Sequence, residues 1–188
     1  MNIIGLAGTN GSGKDTVAVM LKEKHGYLFA DATTMLGNEL SKRGLSHERV
    51  NKAALSAEWR REHGMGVIVD KAVELYKAGD YKGLIVGSLR HPGEADRVHE
   101  FGGKVLWVDA DQRIRYDRIN GGSRGRVEDR KTFEEFVQEE AREMSQSGDA
   151  ATLNMGAVKS RADVFLNNNS NDIEAFRKYA EKELGFIQ

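Results

Sequence analysis

A glycine-rich segment at residues 8–16 constrains this chain more than any other feature. It follows a short apolar run at residues 2–7, which predicts a strand, and it precedes a helical pattern of apolar side chains. Gly8, Gly13 and Lys14 have the spacing Gly-x4-Gly-Lys. A strand, a glycine turn and a helix in this order form the setting in which backbone amides and a helix N-terminus bind phosphate. We therefore predict a phosphate-binding loop rather than an ordinary glycine turn.

The positions of this loop have distinct predicted roles. Glycines allow the backbone to curl so that several N–H groups point into one hollow, and Lys14 supplies a positive charge for the β- and γ-phosphates of a nucleotide. Asp15 stands where a Ser or Thr that ligates Mg²⁺ is usual, so the metal ligand is expected one residue later, at Thr16. The residues of the loop that we expect to bind the nucleotide are Gly8, Asn10, Gly11, Ser12, Gly13, Lys14, Asp15 and Thr16.

The end of the loop resembles that of a known kinase family. Residues 11–16 have the spacing Gly-x-Gly-Lys-x-Thr, which is similar to the loop of adenylate-kinase-like nucleotide kinases. The form Gly-Lys-Asp-Thr at residues 13–16 resembles deoxynucleoside monophosphate kinases and related small-molecule kinases. This resemblance implies a P-loop kinase that uses ATP and Mg²⁺ to phosphorylate a nucleoside monophosphate.

Composition favours a soluble protein without a membrane or nucleic-acid partner. The 188 residues carry a net charge of −1, so no overall field attracts nucleic acid or a membrane surface. No apolar run approaches the roughly 20 residues of a membrane span, and a strand pattern starts at once, so we expect no signal peptide. The absence of cysteine excludes disulfides and fits a reducing compartment. We expect a cytoplasmic protein with one domain, residues 1–188.

Apolar runs alternate with helical patterns along the chain, which predicts a parallel sheet with right-handed crossovers. With helices on both sides, this is a three-layer α/β/α fold whose ligands bind beyond the carboxyl ends of the strands. A long helical segment follows the second strand, at residues 32–79. Thr132 and Glu135 have capping-box spacing and predict a helix start. The five predicted strands are residues 2–7, 27–30, 84–86, 104–108 and 162–166.

The order of the remaining segments extends the resemblance over nearly the whole chain. In nucleoside monophosphate kinases a helical insert, here residues 32–79, holds the acceptor, and a lid, here residues 119–131, closes over ATP. Residues 88–94 resemble an Asp-Gly-Ile-Arg-x-Pro-x-Glu pattern of small archaeal and eukaryotic members, which implies that Arg90 contacts the acceptor phosphate. Further residues expected near ATP are Arg118, Arg124, Arg126 and Asn168.

Phosphoryl transfer depends on positioning and cationic stabilisation more than on covalent chemistry. We predict Lys14, Arg90 and Arg118 as cationic catalytic groups, and Asp31 is the fourth catalytic candidate. Simpler interpretations stay open at this stage: Arg90 can form a surface ion pair with Glu94, and the lid arginines can belong to a solvated basic loop.

Two positions depart from the family pattern. Related kinases usually carry an arginine after a Met-Leu or Leu-Leu pair, whereas residues 35–36 are followed by Gly37, which removes an expected phosphate ligand. Gly87 stands where an acidic residue often ends the third strand. The residues available to replace the arginine are Arg49, Arg60 and Arg61, and those available to position a metal are Thr16, Asp31 and Asp109.

Asp31 separates the alternative mechanisms. A phosphate acceptor needs no general base, whereas a hydroxyl acceptor needs a carboxylate that accepts its proton. Asp31-Ala32 resembles the acidic position of dephospho-coenzyme A kinases, but a helix cap explains an aspartate there equally well. Our first hypothesis is a nucleoside monophosphate kinase. The rivals are a hydroxyl-acceptor kinase and a P-loop module that binds or slowly hydrolyses nucleotide as a switch.

Overall fold

The protein folds into a five-stranded parallel sheet with helices on both faces, as the alternating patterns predict. The computed structural model describes residues 2–121, 131–145 and 148–187. The strands are β1 (Ile3–Gly8), β2 (Tyr27–Asp31), β3 (Gly83–Gly87), β4 (Lys104–Asp109) and β5 (Val164–Asn167). The helices in the described ranges are α1 (Lys14–His25), α2 (Ala32–Lys42), α3 (Arg49–His63), α4 (Val67–Lys77), α5 (Pro92–Glu100), α6 (Gln112–Gly121), α7 (Phe133–Met144), α8 (Met155–Lys159) and α9 (Ile173–Glu183). Across these ranges, no helix has the length and apolarity needed to cross a membrane.

The strand order β2-β3-β1-β4-β5 determines which segments meet at the carboxyl edge of the sheet. Leu6 of the central strand β1 is in register with Gly87 of β3, and Gly87 is in register with Asp31 of β2. On the other side, Asp109 of β4 is in register with Asn167 of β5. The segment after β1 therefore lies between those that follow β2 and β3 and those that follow β4 and β5.

Two apolar clusters fill the space between the sheet and its two helical layers. One contains Trp107 of β4 and Trp59 of α3, together with residues of α2, α4, α5 and α8. The other contains Leu106 of β4 and Phe176 of α9, together with residues of α1. Successive residues of β4 thus pack on opposite faces, as expected for a central parallel strand with both faces covered.

The predicted helical insert consists of α2, α3 and α4, with Gly44 between the first two and Gly64 and Gly66 between the last two. A buried ion pair connects α3 to α5, since Nη2 of Arg60 lies 2.6 Å from Oε1 of Glu94. Their side chains are only 3% and 1% exposed. The middle helix of the insert is therefore fixed to α5, a helix of the layer that covers the sheet.

The C-terminal part differs in detail from the prediction. β5 starts at Val164, two residues later than expected, and α8 was not predicted because five residues are too few to show helical periodicity. Ile173, which belongs to the apolar pattern of the last helix together with Phe176, is 59% exposed. It is the first residue of α9, and periodicity does not indicate how far along a helix the core extends.

Candidate functional site

The glycine loop connects the central strand to the N-terminus of α1. Gly8 ends β1 with φ 146°, and a Cβ there would overlap the carbonyl oxygen of Val108. Gly13 is the N-cap of α1 with φ 92°, and a Cβ there would overlap the side-chain amide of Asn168. Gly13 provides no side-chain cap to α1, which starts at Lys14, so no capping side chain covers the positive end of this helix, which favours an anion.

Three segments predicted to lie near the nucleotide do come together. The Nδ2 of Asn168 donates to the carbonyl oxygen of Ser12 at 2.8 Å. Nη1 of Arg118 donates to the carbonyl oxygen of Gly11 at 3.3 Å, while Nη2 donates to those of Asn168 at 2.9 Å and Ser170 at 2.7 Å. Burial lowers the pKa of Arg118 below its ordinary value. Arg118 thus connects the glycine loop to the loop that follows β5.

Asp109 at the end of β4 is a highly connected carboxylate beside the glycine loop. It accepts hydrogen bonds from the Thr9 hydroxyl at 2.7 Å, the Trp107 indole at 3.2 Å and the Ala110 amide at 2.9 Å. Burial raises the pKa of Asp109, but these hydrogen bonds and the charge of Arg115 outweigh burial and lower it below its ordinary value. Asp109 is therefore ionised and holds Thr9 of the loop in place.

Arg115 is a residue of the candidate site that sequence reasoning did not single out. Its side chain is 3% exposed and pairs through both terminal nitrogens with Glu140 of α7. Its Nε donates to the carbonyl oxygen of Ala110 at 2.6 Å, and its Nη1 lies 3.4 Å from that of Asn10 in the loop. α6 carries several arginines, and their spacing gives no signal for which one is buried. Arg115 therefore connects α7 to the glycine loop.

Asp31 is a helix cap, one of the three roles considered from the sequence beside general base and metal contact. Its Oδ2 accepts from the amide of Thr34 at 3.1 Å, and its Oδ1 accepts from the hydroxyl of Ser88 at 2.7 Å. Ser88 has φ 62°, an uncommon conformation for a residue with a side chain. A Cβ on Gly87 would overlap the ring of Phe29 and lie 3.3 Å from Oδ1 of Asp31. The missing acidic residue at Gly87 therefore has a steric reason.

Arg90 does not form the ion pair with Glu94 that its sequence position suggested. The carboxylate of Glu94 accepts from the backbone amide of Arg90 at 2.8 Å and binds the guanidinium of Arg60. Nη1 of Arg90 instead lies 3.2 Å from Oε2 of Glu143 on α7. Nη1 of Arg49 on α3 lies 3.9 Å from the other oxygen of Glu143 and 3.6 Å from Oε2 of Glu139. Two arginines from different segments thus converge on one carboxylate.

The three arginines proposed to replace the one missing at Gly37 occupy different environments. A Cβ on Gly37 would lie 3.4 Å from ring atoms of His47, so the imidazole covers this position. Arg60 is buried with Glu94, as described above, and Arg61 forms an exposed ion pair on the surface. Arg49 is the one of the three that lies near Glu143, the partner of Arg90.

The lid expected at residues 119–131 falls mostly outside the described residues. α6 continues to Gly121, and the description resumes at Lys131, just before the capping box of α7. That box is present, since Thr132 Oγ1 accepts from the amide of Glu135 at 3.2 Å. Arg124 and Arg126 lie outside the described ranges.

A glycine loop between the central strand and the first helix of a parallel α/β/α sheet defines a P-loop kinase-like domain. A family model described as an AAA domain (AAA_18) matches residues 4–144, and the chain belongs to this family. A UPF0200 protein of Pyrobaculum aerophilum is 28% identical over 189 residues, covering 100% of this chain and 97% of the relative. A UPF0200 protein of Thermococcus kodakarensis is 29% identical over 176 residues, covering 90% of this chain and 89% of the relative.

Solved structures support the same fold. Shikimate kinase from Bacteroides thetaiotaomicron superimposes with a TM-score of 0.63 and 13% identity, covering 97% of both chains. The structure of shikimate kinase from Acinetobacter baumannii in complex with shikimate matches with a TM-score of 0.55 and 18% identity, covering 98% of this chain and 91% of that chain. TT1252 from Thermus thermophilus matches with a TM-score of 0.57 and 18% identity, covering 99% of this chain and 97% of that chain. At these identities the likeness establishes the fold alone.

Proposed function

We propose that this protein transfers the γ-phosphoryl group of ATP to the phosphate of a nucleoside monophosphate, with Mg²⁺ as cofactor. The main support is the position of Arg90 relative to Lys14. β1 and β3 are neighbouring strands, and beyond β3 the amide of Leu89 still donates to the carbonyl oxygen of Leu6 at 3.1 Å. A cation for the acceptor phosphate therefore follows the strand next to the glycine loop. Separate cations for two phosphates favour the in-line approach that phosphoryl transfer requires.

The donor side fits a nucleoside triphosphate. The uncapped N-terminus of α1 and Lys14 would bind the β- and γ-phosphates. The Ser12 hydroxyl is buried and has no hydrogen-bond partner in the part of the chain that the structure describes, so a phosphate oxygen would complete its bonding. Arg118 and Asn168 would support the loop from the nucleoside side, and Arg124 and Arg126 remain proposed lid contacts.

The oxygen donors near the loop suit Mg²⁺. The described ranges contain no group of three or more His, Cys, Asp or Glu side chains placed to hold a metal ion. Mg²⁺ bound with a nucleotide needs few protein ligands, because phosphate oxygens and water complete its octahedral shell. The Thr16 hydroxyl would be the direct ligand, and the Asp109 carboxylate would act through water. When bound, Mg²⁺ neutralises charge on the β- and γ-phosphates.

The proposed reaction requires no general base. An oxygen of the acceptor phosphate bonds to the γ-phosphorus while the bond from that phosphorus to the ADP oxygen breaks, giving ADP and a nucleoside diphosphate. Lys14 and Arg90 stabilise the negative charge on the two sides of the transferred group. Asp31, which already accepts hydrogen bonds at both oxygens, would shape the acceptor entrance rather than take a proton.

A hydroxyl-acceptor kinase is the second candidate function, because Ser88 fixes the orientation of the Asp31 carboxylate at the acceptor side. In such an enzyme Asp31 would accept the proton of the attacking hydroxyl. The Asp31→Asn variant separates the two functions, since an amide keeps most of the cap but cannot act as a base. We expect turnover within about tenfold of wild type, whereas general-base catalysis contributes about 10²–10⁴-fold.

Product analysis tests the proposal directly. The protein is incubated with ATP, Mg²⁺ and, in turn, each nucleoside monophosphate, dephospho-coenzyme A and shikimate. We expect rapid ADP formation only with one or more nucleoside monophosphates. ADP formation only with a hydroxyl acceptor would establish the second candidate. Slow hydrolysis that no acceptor accelerates would refute both and favour a nucleotide-dependent switch.

A further inference from the structure

Glu143 lies between two arginines that come from different parts of the fold, one of which, Arg49, also lies 3.6 Å from Glu139. Arg90 follows β3, and Arg49 is the first residue of α3. Their Nη1 atoms lie 3.2 Å and 3.9 Å from different oxygens of this one carboxylate. A pair of guanidinium groups around a single anion is the arrangement expected of a phosphate site, because arginine binds phosphate and carboxylate through the same geometry.

The ion pairs of Glu143 with Arg49 and Arg90 are weak enough for another anion to take the place of the Glu143 carboxylate. The side chains of Arg49 and Arg90 are 38% and 33% exposed, and that of Glu143 is 24% exposed. Partly exposed ion pairs of this kind contribute little to stability, because water screens them and ordering long side chains is costly. The buried pair of Arg60 and Glu94 contrasts with them, since it is sealed from water. A phosphate dianion carries more charge than a carboxylate and can displace it.

The position of Glu143 on α7 allows this exchange without loss of the donor side. Glu143 is the penultimate residue of α7, whereas Glu140, one turn earlier, is bonded to the buried Arg115. Phe136 is the buried apolar residue of the helix. Met144, the last residue of α7, packs against the apolar core. The exchange therefore needs only a rotation of the partly exposed Glu143 side chain while the helix stays in place.

We propose that Glu143 is an internal placeholder for the phosphate of the acceptor, and that Arg49 takes the role of the arginine missing at Gly37. This inference rests on the proposed function and makes it more specific. The acceptor must carry an anion that replaces Glu143 between Arg49 and Arg90. Glu143 then acts as a specificity residue, because an acceptor without that anion leaves the arginines paired and gains nothing from the site.

The test measures anion binding without turnover, with inorganic phosphate as the probe and acetate as the carboxylate comparison. Dissociation constants are obtained by calorimetry with ADP saturating the glycine loop. Since Glu143 competes with the ligand, Glu143→Gln should bind phosphate about three- to tenfold more tightly than wild type. Acetate should remain the weaker ligand, whereas preferential tightening of acetate would identify a carboxylate acceptor and overturn the phosphate assignment.

Two controls separate a placeholder from a general charge effect. Glu134→Gln removes an exposed charge from the first turn of the same helix and should leave phosphate binding unchanged. In the background of Arg90→Ala, and separately of Arg49→Ala, the gain from Glu143→Gln should disappear, because the competing pair no longer exists. A gain that persists without either arginine, or no gain at all, would overturn the proposal. Thermal unfolding of every variant verifies that the fold is retained.

Turnover distinguishes failure of this inference from failure of the proposed function. If nucleoside monophosphates are phosphorylated, Glu143→Gln should lower KM for the acceptor about three- to tenfold with little change in kcat. If Glu143→Gln has kinase activity but an unchanged KM for the acceptor, the placeholder role of Glu143 is rejected and the proposed kinase function is retained. If Glu143→Gln binds phosphate more tightly in a way that depends on Arg90, but the protein has no kinase activity, the kinase function is rejected and the anion site is retained.

Discussion

At the residue scale, close neighbours fix single positions of the glycine loop. Gly13 combines a left-handed backbone with direct contact to the Asn168 amide. Gly44 offers a matched comparison, because its φ is 69° but a Cβ there would meet nothing within 4 Å. A side chain at Gly13 would therefore meet both backbone strain and a steric clash with Asn168, whereas a side chain at Gly44 would meet backbone strain alone.

Gly13→Ala and Gly44→Ala therefore differ in a predictable way. Each should lose about 1–2 kcal/mol in the free energy of unfolding from the left-handed backbone. Gly13→Ala should lose about 1 kcal/mol more, because the Asn168 amide must leave the Ser12 carbonyl. ATP binding should weaken in Gly13→Ala and remain normal in Gly44→Ala. Urea denaturation and calorimetry measure these effects, and equal ATP affinity in the two variants would contradict the account.

His91 predicts a pH dependence of stability. Its Nδ1 accepts from the Gly93 amide at 3.0 Å, and its Nε2 donates to the carbonyl oxygen of Ala150 at 2.7 Å, so the imidazole is neutral. Burial lowers the pKa of His91, and the positive charge of Arg60 lowers it further, against the raising effects of the Ala150 hydrogen bond and of Glu94. The stability that neutral His91 contributes is present above its unfolded pKa of about 6.5 and is lost as pH falls through the lower folded pKa.

Urea unfolding of wild type and His91→Asn at about pH 7.5 and about pH 5.5 isolates this effect. Asparagine keeps an oxygen acceptor for the cap but does not titrate. Between these values wild type should lose about 1 kcal/mol more stability than the variant. The same loss in both proteins would show that His91 does not titrate with folding.

At the element scale, adjacent arginines of α3 show how the insert is held to the rest of the fold. Arg60 is buried against Glu94 and donates to the carbonyl oxygen of Ala151 at 3.0 Å. Arg61, the next residue, pairs with Asp149 where both side chains are about half exposed. The same residue type thus has two very different environments one position apart.

Arg60→Ala should cost about 3–5 kcal/mol in the free energy of unfolding, because Glu94 is left as a buried and uncompensated charge. Arg61→Ala should cost less than about 1 kcal/mol, because its pair is screened by water. Denaturant midpoints of the two variants measured side by side test this difference. Similar costs would mean that the buried pair does not connect α3 to α5.

The elements were more predictable than the contacts between them. β3 and β4 are continuous apolar runs, and Thr132 with Glu135 marks a helix start, so local sequence is enough to place them. The partners of Arg115 and Arg90 lie on α7, far along the chain, and no local pattern indicates which charges meet. The glycine loop was predictable because its spacing encodes its function, whereas the acceptor side depends on tertiary contacts.

At the scale of the whole molecule, the strand order separates the proposed donor side of the site from the proposed acceptor side. The glycine loop follows β1, and the segments after β4 and β5 contact it, whereas Asp31 ends β2 and Arg90 follows β3. If ATP binds at the glycine loop as proposed, it should stabilise the fold, because a ligand that binds the folded state and not the unfolded chain shifts the unfolding equilibrium.

ATP at about a hundred times its Kd should stabilise the protein by about 2.7 kcal/mol, which raises Tm by about 5–10 °C for a chain of this length. Lys14→Ala should lose most of this shift. Lys22→Ala, an exposed lysine on the same helix, should keep it. Thermal unfolding with and without ATP and Mg²⁺ provides the measurement, and an undiminished shift in Lys14→Ala would show that ATP binds elsewhere.

The most direct test of phosphoryl transfer follows a radiolabelled γ-phosphate from ATP to product. With Mg²⁺ and a nucleoside monophosphate, wild type is predicted to form labelled nucleoside diphosphate at a rate that saturates with acceptor concentration. Lys14→Ala should reduce kcat/KM by at least about a hundredfold while remaining folded. Absence of labelled diphosphate with every nucleoside monophosphate, or unchanged transfer in Lys14→Ala, would contradict the proposed function.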